Sequence, residues 1–290
     1  MIVADPQLIG YTREPTPFSS LTRWDSDRYL RMGFERALTA CHPDLILFLG
    51  DLMDEGVHAS KVDFDRTLER FNAIFRTDKP VQRIYVPGDN DIGGEEQMIM
   101  PYSLNRFSNS FSNSFEAEAL GLDAISFVQI NPFNGAQSIL WVGSSAICVV
   151  LSHGPIIRFP DILKNVRSLV SPALILSAHS HTASYYEEVF NGAQPFKSIS
   201  MLSQKTSHTV AIDEHNSTFK EFQTATCNYR MGVDNMAYGC LTFTRNNATP
   251  RPSFNVRYTA LWLPRRFHQL AIYFFIVVVL TIYGLRWLFW

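Results

Sequence analysis

The feature that most constrains the fold is a series of short apolar runs, each ending in a glycine or a polar cluster. Three of these runs read as buried strands: Asp44–Asp51, Arg83–Asn90 and Ala173–His181. Helical periodicity lies between them at 26–40 and 60–75, with Asp25 and Ser60 as the predicted N-caps. The second half is mostly strand-like. This order predicts a layered α/β sandwich with polar residues collected at strand ends.

Composition excludes several other classes of protein. The chain has 290 residues, of which 46% are hydrophobic and 18% charged, so it is long and apolar enough to bury a sizeable core. A formal net charge of −2 leaves no basic surplus. Nucleic acid is therefore not an expected partner, because binding to its backbone depends on clustered positive charge.

The C-terminal segment predicts a membrane anchor. Residues Leu270–Trp290 are almost entirely apolar and carry one charge, Arg286. As a helix this segment would extend about 30 Å, which is the thickness of the hydrocarbon core of a bilayer. We therefore divide the chain into a catalytic domain at 1–262 and a transmembrane anchor at 263–290. The alternative is a buried core helix.

The N-terminus begins directly in a strand-like run, Ile2–Gly10, without the pattern of a secretory signal peptide. We therefore expect that an upstream segment is missing from this sequence.

The four cysteines show no CxxC pair, so a structural zinc site is not expected. Cys148 lies in an apolar run and is predicted to be a buried strand residue. Cys227 and Cys240 are close enough in sequence to form one disulfide in an oxidising compartment, although nothing in the sequence requires it.

Ionisable residues follow the predicted strands in a distinctive order. Carboxylates come first and imidazoles last, each directly after an apolar run: Asp5, Asp51, Asp89, His153, His179 and His181. A single aspartate at a strand end is more often a turn or cap residue than a ligand. The whole series is difficult to obtain by chance and predicts a metal centre.

These residue types suit two divalent ions held about 3.5–4 Å apart in a phosphoesterase. Asp51 is the natural bridge, because a shared carboxylate offsets the repulsion between the ions. We assign Asp5 and His181 to one ion, and Asp89, His153 and His179 to the other. Mixed nitrogen and oxygen ligation favours Mn²⁺, Fe or Zn²⁺ over Mg²⁺. Water activated by the ions would attack phosphorus.

The motifs ADPQLIG, GDLMDEG, PGDNDIG, LSHGPI and CNYRMG…NMAYG resemble the calcineurin-like metallophosphoesterase superfamily. Within it they are similar to the membrane-bound branch that removes ethanolamine phosphate from a mannose of the GPI glycan. The resemblance implies an αββα sandwich, manganese as the metal, and GPI-anchored glycolipid or protein as the substrate. It also implies an endoplasmic reticulum or Golgi membrane location with the catalytic domain in the lumen, acting during ER-to-Golgi transport.

Two positions depart from the pattern of that superfamily. Gln7 replaces the usual histidine of the first motif, and Asn90 replaces the histidine of the third, where a general acid is expected. We carry over Asp51, Asp89, Asn90 and His153 as the catalytic set, with Asn90 carried over by position only. A missing general acid costs about 10²–10⁴ in rate.

Three alternatives remain open at this level. The chain could be a related phosphoesterase for another lipid or nucleotide headgroup, or a catalytically impaired relative that binds glycolipid or a trafficking partner. The third concerns topology: Arg265 and Arg266 precede the anchor, and the positive-inside rule would then place the main domain in the cytosol.

Some polar residues near the motifs have two possible roles. We favour Asp54 as a residue that orients its loop over one that takes part directly in chemistry. His58 is more readily a solvated loop histidine than a substrate contact. For Arg230, contact with a phosphate oxygen and a structural salt bridge are equally compatible with the sequence.

Overall fold

A computed structural model of the chain describes most of its residues. The described ranges are 1–13, 17–95, 97–116, 118–132, 137–142, 147–189, 196–201, 207–214, 218–248 and 251–288.

The described helices include two long ones near the N-terminus and one long one at the C-terminus. Their bounds are α1 Ser19–Cys41, α2 Lys61–Ile74, α3 Asp89–Ile92, α4 Pro101–Ser110, α5 Pro160–Leu169 and α6 Arg266–Leu288. Short 3-10 turns add Glu118–Leu120 and Tyr229–Met231.

Thirteen strands are described, and they form two sheets. Their bounds are β1 Ile2–Val3, β2 Leu45–Leu49, β3 Gln82–Val86, β4 Ile125–Asn131, β5 Gln137–Val142, β6 Ile147–Leu151, β7 Pro172–Ser177, β8 Ser184–Glu188, β9 Phe196–Ser200, β10 Ser207–Asp213, β11 Lys220–Gln223, β12 Ala237–Arg245 and β13 Ser253–Trp262.

Each sheet combines parallel and antiparallel strands, with the parallel ones on one side of the first sheet and at the centre of the second. The first sheet has the order β10-β13-β12-β1-β2-β3, in which β1, β2 and β3 are parallel and Ile2 is paired with Leu47. The second has the order β5-β4-β6-β7-β11-β8-β9, in which β4, β6, β7 and β11 are parallel. Parallel strands direct their carboxyl ends to one edge of a sheet, where α/β proteins build their sites.

Three apolar layers separate four structural layers. α1 and α2 pack on one face of the first sheet, where Phe34 and Phe71 lie against Phe48. The opposite face packs on the second sheet, with Leu49 and Phe127 in the same cluster. α5 covers the far side of the second sheet. The αββα sandwich predicted above is confirmed, and it explains the unbroken apolar runs, since both faces of these strands are buried.

The two long N-terminal helices match the predicted ones in position but not in every boundary. Ser60 caps α2, since its Oγ accepts a hydrogen bond from the backbone N–H of Asp63 at 3.2 Å. The predicted cap Asp25 was wrong. α1 begins six residues earlier, at Ser19, and Asp25 lies buried inside the helix, where it is paired with Arg266.

The predicted pairing of Cys227 with Cys240 was also wrong. Cys240 forms a disulfide with Cys41, across a sequence separation of 199 residues. Cys41 is the last residue of α1, which packs against β12, so the fold brings these two cysteines together. Cys227 is a free, fully buried residue of the core between the helices and the first sheet. Cys148 is a buried residue of β6, as predicted.

α6 does not pack into the domain. Within its 22-residue segment Arg266–Trp287, an 18-residue window has a mean hydropathy of 2.0, and none of that window is buried by the rest of the protein. The alternative of a core helix is therefore wrong. Length and composition make α6 a candidate membrane span.

Candidate metal centre

The loops that follow five parallel strands meet at one edge of the sandwich. The loops after β1, β2 and β3 belong to the first sheet, and those after β6 and β7 to the second. They supply the predicted ligands in chain order: Asp5, Asp51, Asp89, His153, and the pair His179 and His181. All six side chains are brought together in the structure, and their role as ligands remains a prediction.

Four of these side chains form the centre of the cluster. Asp51, Asp89, His153 and His179 place one ligand atom each within 4.8 Å of one another. His153 Nε2 lies 3.1 Å from Asp89 Oδ1 and 3.4 Å from Asp51 Oδ1. His179 Nδ1 lies 3.2 Å from Asp89 Oδ1. Two carboxylates and two imidazoles at these separations can ligate a single divalent ion.

Asp5 and His181 lie beside this group. Asp5 is fully buried, and its Oδ1 accepts no hydrogen bond from any residue in the described part of the chain. That oxygen is 3.9 Å from both His153 Nε2 and His181 Nε2. A buried carboxylate oxygen without a donor is costly unless a cation compensates it. The residues therefore fit divalent metal ions.

Burial and mutual interaction shift the pKa values of these groups in opposite directions. Burial raises the pKa of Asp5 to about 7. For Asp89, burial opposes ionisation, but hydrogen bonds with His153 and His179 outweigh it and hold the pKa of Asp89 well below its usual range. Burial likewise opposes the charged form of His153, yet the carboxylates of Asp51 and Asp89 raise the pKa of His153 well above its usual value. The cluster is therefore a strongly polarised site that favours bound positive charge.

A backbone carbonyl orients His153. Its Nδ1 lies 2.8 Å from the carbonyl oxygen of Leu49, which can only accept a hydrogen bond. The Nδ1 atom therefore carries the proton, and Nε2 faces the carboxylates as a ligand atom. Metal-binding histidines are commonly fixed in this way by the hydrogen bond of their other nitrogen.

The backbone at the site is held in a conformation that non-glycine residues seldom adopt. Five site residues have left-handed φ angles, from 36° to 68°: Asp5, Gln7, Asp51, His179 and His181. Each costs about 1–2 kcal/mol. The rest of the fold imposes these conformations, and they direct consecutive strand-end side chains into one small volume.

Two glycines permit the close packing of the loops. Gly50 has a φ of 87°, and a Cβ there would lie 2.4 Å from His153 Nδ1. At Gly88 a Cβ would lie 2.2 Å from Asp51 Oδ1. A side chain at either position would therefore collide with a predicted metal ligand.

The two departing residues both contact Asp51. Gln7 Nε2 donates to Asp51 Oδ2 at 2.9 Å, and Asn90 Nδ2 donates to the same oxygen at 2.8 Å. The backbone N–H of Asn90 donates to Asp51 Oδ1 at 3.0 Å. Gln7 Nε2 also lies 3.5 Å from His181 Nε2. Position 90 therefore lies at the centre of the site, as its place in the motif predicts.

Buried carboxylates outside the metal cluster hold the loops, and sequence reasoning did not identify them. Asp91 accepts hydrogen bonds from the backbone N–H groups of Leu52, Met53 and Gly88. Glu221 accepts them from the backbone N–H groups just after His153. Such residues lack a sequence signature, because their partners are backbone groups of distant segments.

Glu55 fixes the loop that covers the site. It is buried, and its carboxylate accepts hydrogen bonds from the backbone N–H groups of Tyr11, Thr12 and Arg13. Its neighbour Asp54 lines the site cavity, and its predicted role in orienting the loop remains a prediction.

The metal cluster opens into a cavity of about 360 Å³. Beside the ligands, the cavity is lined by charged and polar side chains that sequence reasoning missed: Arg13, Glu95 and Gln97. Glu95 Oε1 lies 3.5 Å from His179 Nε2. His58 also lines this cavity while remaining solvent-exposed. Arg230 is exposed in a 3-10 turn outside the cavity lining.

Fold and site together define a metal-dependent phosphoesterase. The sequence model of the calcineurin-like phosphoesterase family matches residues 1–183. The chain belongs to this family, and the resemblance to its superfamily drawn from the motifs is confirmed.

Among curated proteins, the chain is similar to proteins named Metallophosphoesterase 1. It is 31% identical to the mouse protein over 131 residues, which cover 45% of this chain and 31% of that protein. It is 33% identical to the giant panda protein (Ailuropoda melanoleuca) over 131 residues, which again cover 45% of this chain and 31% of that protein. The Drosophila melanogaster homologue is 31% identical over 45% of this chain and 34% of its own length. The matched region is thus about a third of these relatives.

Among solved structures, the chain aligns with a crystal structure of a metallophosphoesterase from Sphaerobacter thermophilus. The alignment covers 90% of this chain and 87% of that one, at 13% identity and a TM-score of 0.39.

Proposed function

We propose that this protein is a membrane-anchored phosphodiesterase that removes ethanolamine phosphate from a mannose of GPI anchors during ER-to-Golgi transport. Phosphoesterase chemistry follows from family membership and from the Asp/His cluster. The substrate is inferred from the motif resemblance and from the chemistry of the cavity.

The observation that carries the proposal is the mixed charge of the cavity wall. Ethanolamine phosphate joins a phosphate diester to an ammonium group. Arg13 lines the cavity on one loop, and Glu95 and Asp54 line it on others, all beside the metal ligands. A guanidinium suits the phosphate oxygens, and a carboxylate suits the ammonium.

Two divalent ions, which we take to be Mn²⁺, would be held by the six predicted ligands with Asp51 between them. Bound ions supply an activated water and polarise the phosphoryl oxygens. The side chains of this protein would bind and orient the substrate. Asn90, anchored on Asp51, presents an amide that can donate to a phosphoryl oxygen. Glu55 holds the loop that carries Arg13 over the cavity.

The disulfide supports a lumenal catalytic domain. Disulfides persist in oxidising compartments and are rare in the cytosol, and the Cys41–Cys240 bond lies in the domain proposed to be lumenal. The opposing argument from Arg265 and Arg266 is weakened, because Arg266 forms an ion pair with the buried Asp25. One of the two charges is therefore engaged in the fold.

The proposal is tested with full-length protein purified in neutral detergent and loaded with Mn²⁺. Two GPI glycans are compared, identical except that one carries ethanolamine phosphate on mannose, and released ethanolamine phosphate is measured by mass spectrometry. Glu95→Gln should reduce the preference for ethanolamine phosphate over glycerol phosphate diesters, whereas Glu35→Gln, an exposed residue of α1, should leave it unchanged. Cleavage of aryl phosphodiesters without release of ethanolamine phosphate from the glycan would refute the substrate assignment and favour another headgroup.

A second candidate, a catalytically impaired relative that binds glycolipid or a trafficking partner, is favoured by one observation. The amides of Gln7 and Asn90 both donate to Asp51 Oδ2, so one oxygen of the carboxylate proposed to bridge the ions is already engaged by hydrogen bonds. Metal content distinguishes the two: a hydrolase purifies with bound ions or takes them up with micromolar affinity, and an impaired relative does not require them.

A further inference from the structure

A second cavity lies where α6 joins the domain. It has a volume of about 200 Å³ and is enclosed by α1 and the first turns of α6. Three arginines line it, Arg28 and Arg36 from α1 and Arg266 from α6, together with Tyr273. Its lining contains no carboxylate. The cavity is therefore a concave, positively charged site.

The two arginines of α1 are free to bind a ligand. Arg28 and Arg36 are both exposed, and in the described ranges neither lies within salt-bridge distance of a carboxylate. Arg266 differs, since it pairs with Asp25 and its guanidinium lies 5.6 Å from the centre of the Tyr273 ring. Asp25 offsets part of the charge of Arg28 as well as that of Arg266. Three guanidinium groups against this one carboxylate still leave net positive charge around a small cavity, and such a site attracts an anion.

The attachment of α6 fixes where this cavity lies relative to a membrane. Two contacts attach the start of α6 to α1. One is the Arg266–Asp25 ion pair, and the other is a hydrogen bond that Tyr29 Oη donates to the carbonyl oxygen of Pro264 at 2.9 Å. Arg266 and Tyr273 are seven residues apart, so the cavity covers about the first 10 Å of the helix. In a membrane helix this stretch lies at the headgroup level, where arginine and tyrosine are typical.

The N-terminal part of α1 and the residue before it also expose apolar side chains. Phe18, Leu21 and Trp24 are 58–68% exposed, and Met32, which lines the cavity, is 38% exposed. Exposed aromatic and aliphatic side chains next to arginines are the composition of a surface that lies on a membrane.

We propose that this cavity binds the headgroup of an anionic phospholipid in the leaflet that α6 enters. Arg28 and Arg36 hold the phosphate, and the apolar residues of α1 lie among the acyl chains near the interface. The inference rests on the membrane anchoring proposed above. It assigns α1 to the membrane surface and makes the lipid part of the joint between anchor and domain.

The test measures lipid binding by full-length protein in neutral detergent, through the midpoint of thermal unfolding. Dioctanoyl phosphatidylglycerol is titrated against zwitterionic dioctanoyl phosphatidylcholine. Phosphatidylglycerol should raise the midpoint by about 3–6 °C at ten times its dissociation constant, because a ligand that binds only the folded state stabilises it. Phosphatidylcholine should have less than half this effect.

Charge-matched variants locate the site. Arg28→Gln/Arg36→Gln should abolish the response to phosphatidylglycerol, and Arg28→Lys/Arg36→Lys should retain part of it. The control Arg31→Gln/Arg167→Gln removes two arginines that lie outside the cavity in exposed ion pairs, and it should respond like the wild type. An unchanged response in the Arg28/Arg36 glutamine variant, an equal loss in the control, or no response in the wild type would overturn the proposal. Hydrolysis is not measured, so failure here leaves the glycan assignment standing, and failure of the glycan assay leaves this result standing.

Discussion

Removal of the Cys41–Cys240 disulfide should strongly destabilise the catalytic domain. The bond closes a ring of about 200 residues, since the two cysteines are 199 positions apart. In the chain-entropy account, opening a ring of this size raises the conformational entropy of the unfolded state and so stabilises that state by about 5 kcal/mol. For a protein of this size 1 kcal/mol moves the thermal midpoint by about 2–4 °C, so Cys41→Ser/Cys240→Ser should lower it by about 10–20 °C.

The assay compares four samples of the full-length protein in neutral detergent: wild type and double variant, each with and without reductant. Reductant should lower the midpoint of the wild type towards that of the double variant and leave the double variant unchanged. Thiol labelling under denaturing conditions should find two free cysteines in the unreduced wild type, Cys148 and Cys227. Four free thiols, or a midpoint that reductant moves by less than about 2 °C, would refute both the pairing and its energetic role.

Three further perturbations address the metal centre and the anchor joint. Asp51→Asn should lose bound metal together with activity, because a carboxylate shared by two ions would hold both of them, and near-full metal by elemental analysis would contradict the proposed bridging role. Asn90→His should raise hydrolysis of alkyl phosphodiesters over aryl ones by about 10²-fold, and an unchanged ratio would show that position 90 is not a vacant general-acid site. Burial opposes ionisation of Asp25, but hydrogen bonds from Arg266 and Tyr229 outweigh it and lower the pKa of Asp25 below its usual value near 4. Its contribution to stability is therefore present above about pH 4 and lost as the pH falls through the lowered value. Asp25→Asn should melt earlier than wild type at pH 6, and the difference should shrink as the pH falls below about 4. Parallel curves of melting temperature against pH would count against the ion pair.

The strand ends and their order were predictable from sequence because both faces of the central strands are buried. Such strands form continuous apolar runs, and the polar residue after each one is conspicuous. Asp51 and Asp89 are found in this way, and the same reasoning leads to His153. A layered α/β sandwich follows from alternating strands and helices in the first half of the chain, whereas the αββα order was implied by the resemblance of the motifs to the superfamily.

Long-range pairings could not be predicted in this way. Cys41 and Cys240 meet because α1 lies across the first sheet beside β12, which no local pattern encodes. Asp25 looked like a helix cap because it precedes an apolar periodicity, and its real partner lies 241 positions away. Glu55 was indistinguishable from a solvated loop residue, because its partners are backbone N–H groups.

The short joint between β13 and α6 has a consequence for substrate choice. β13 ends at Trp262 and α6 begins at Arg266, and the connection is bound to the domain at Pro264 and Arg266. A domain on a long flexible tether samples many heights above a bilayer, whereas one fastened in this way keeps its catalytic opening at a nearly constant height. With α6 in a membrane, the enzyme would select substrates by the distance of the phosphodiester from the lipid surface. It would accept phosphodiesters carried at one distance from the lipid surface and pass over chemically identical groups placed nearer or farther along a glycan.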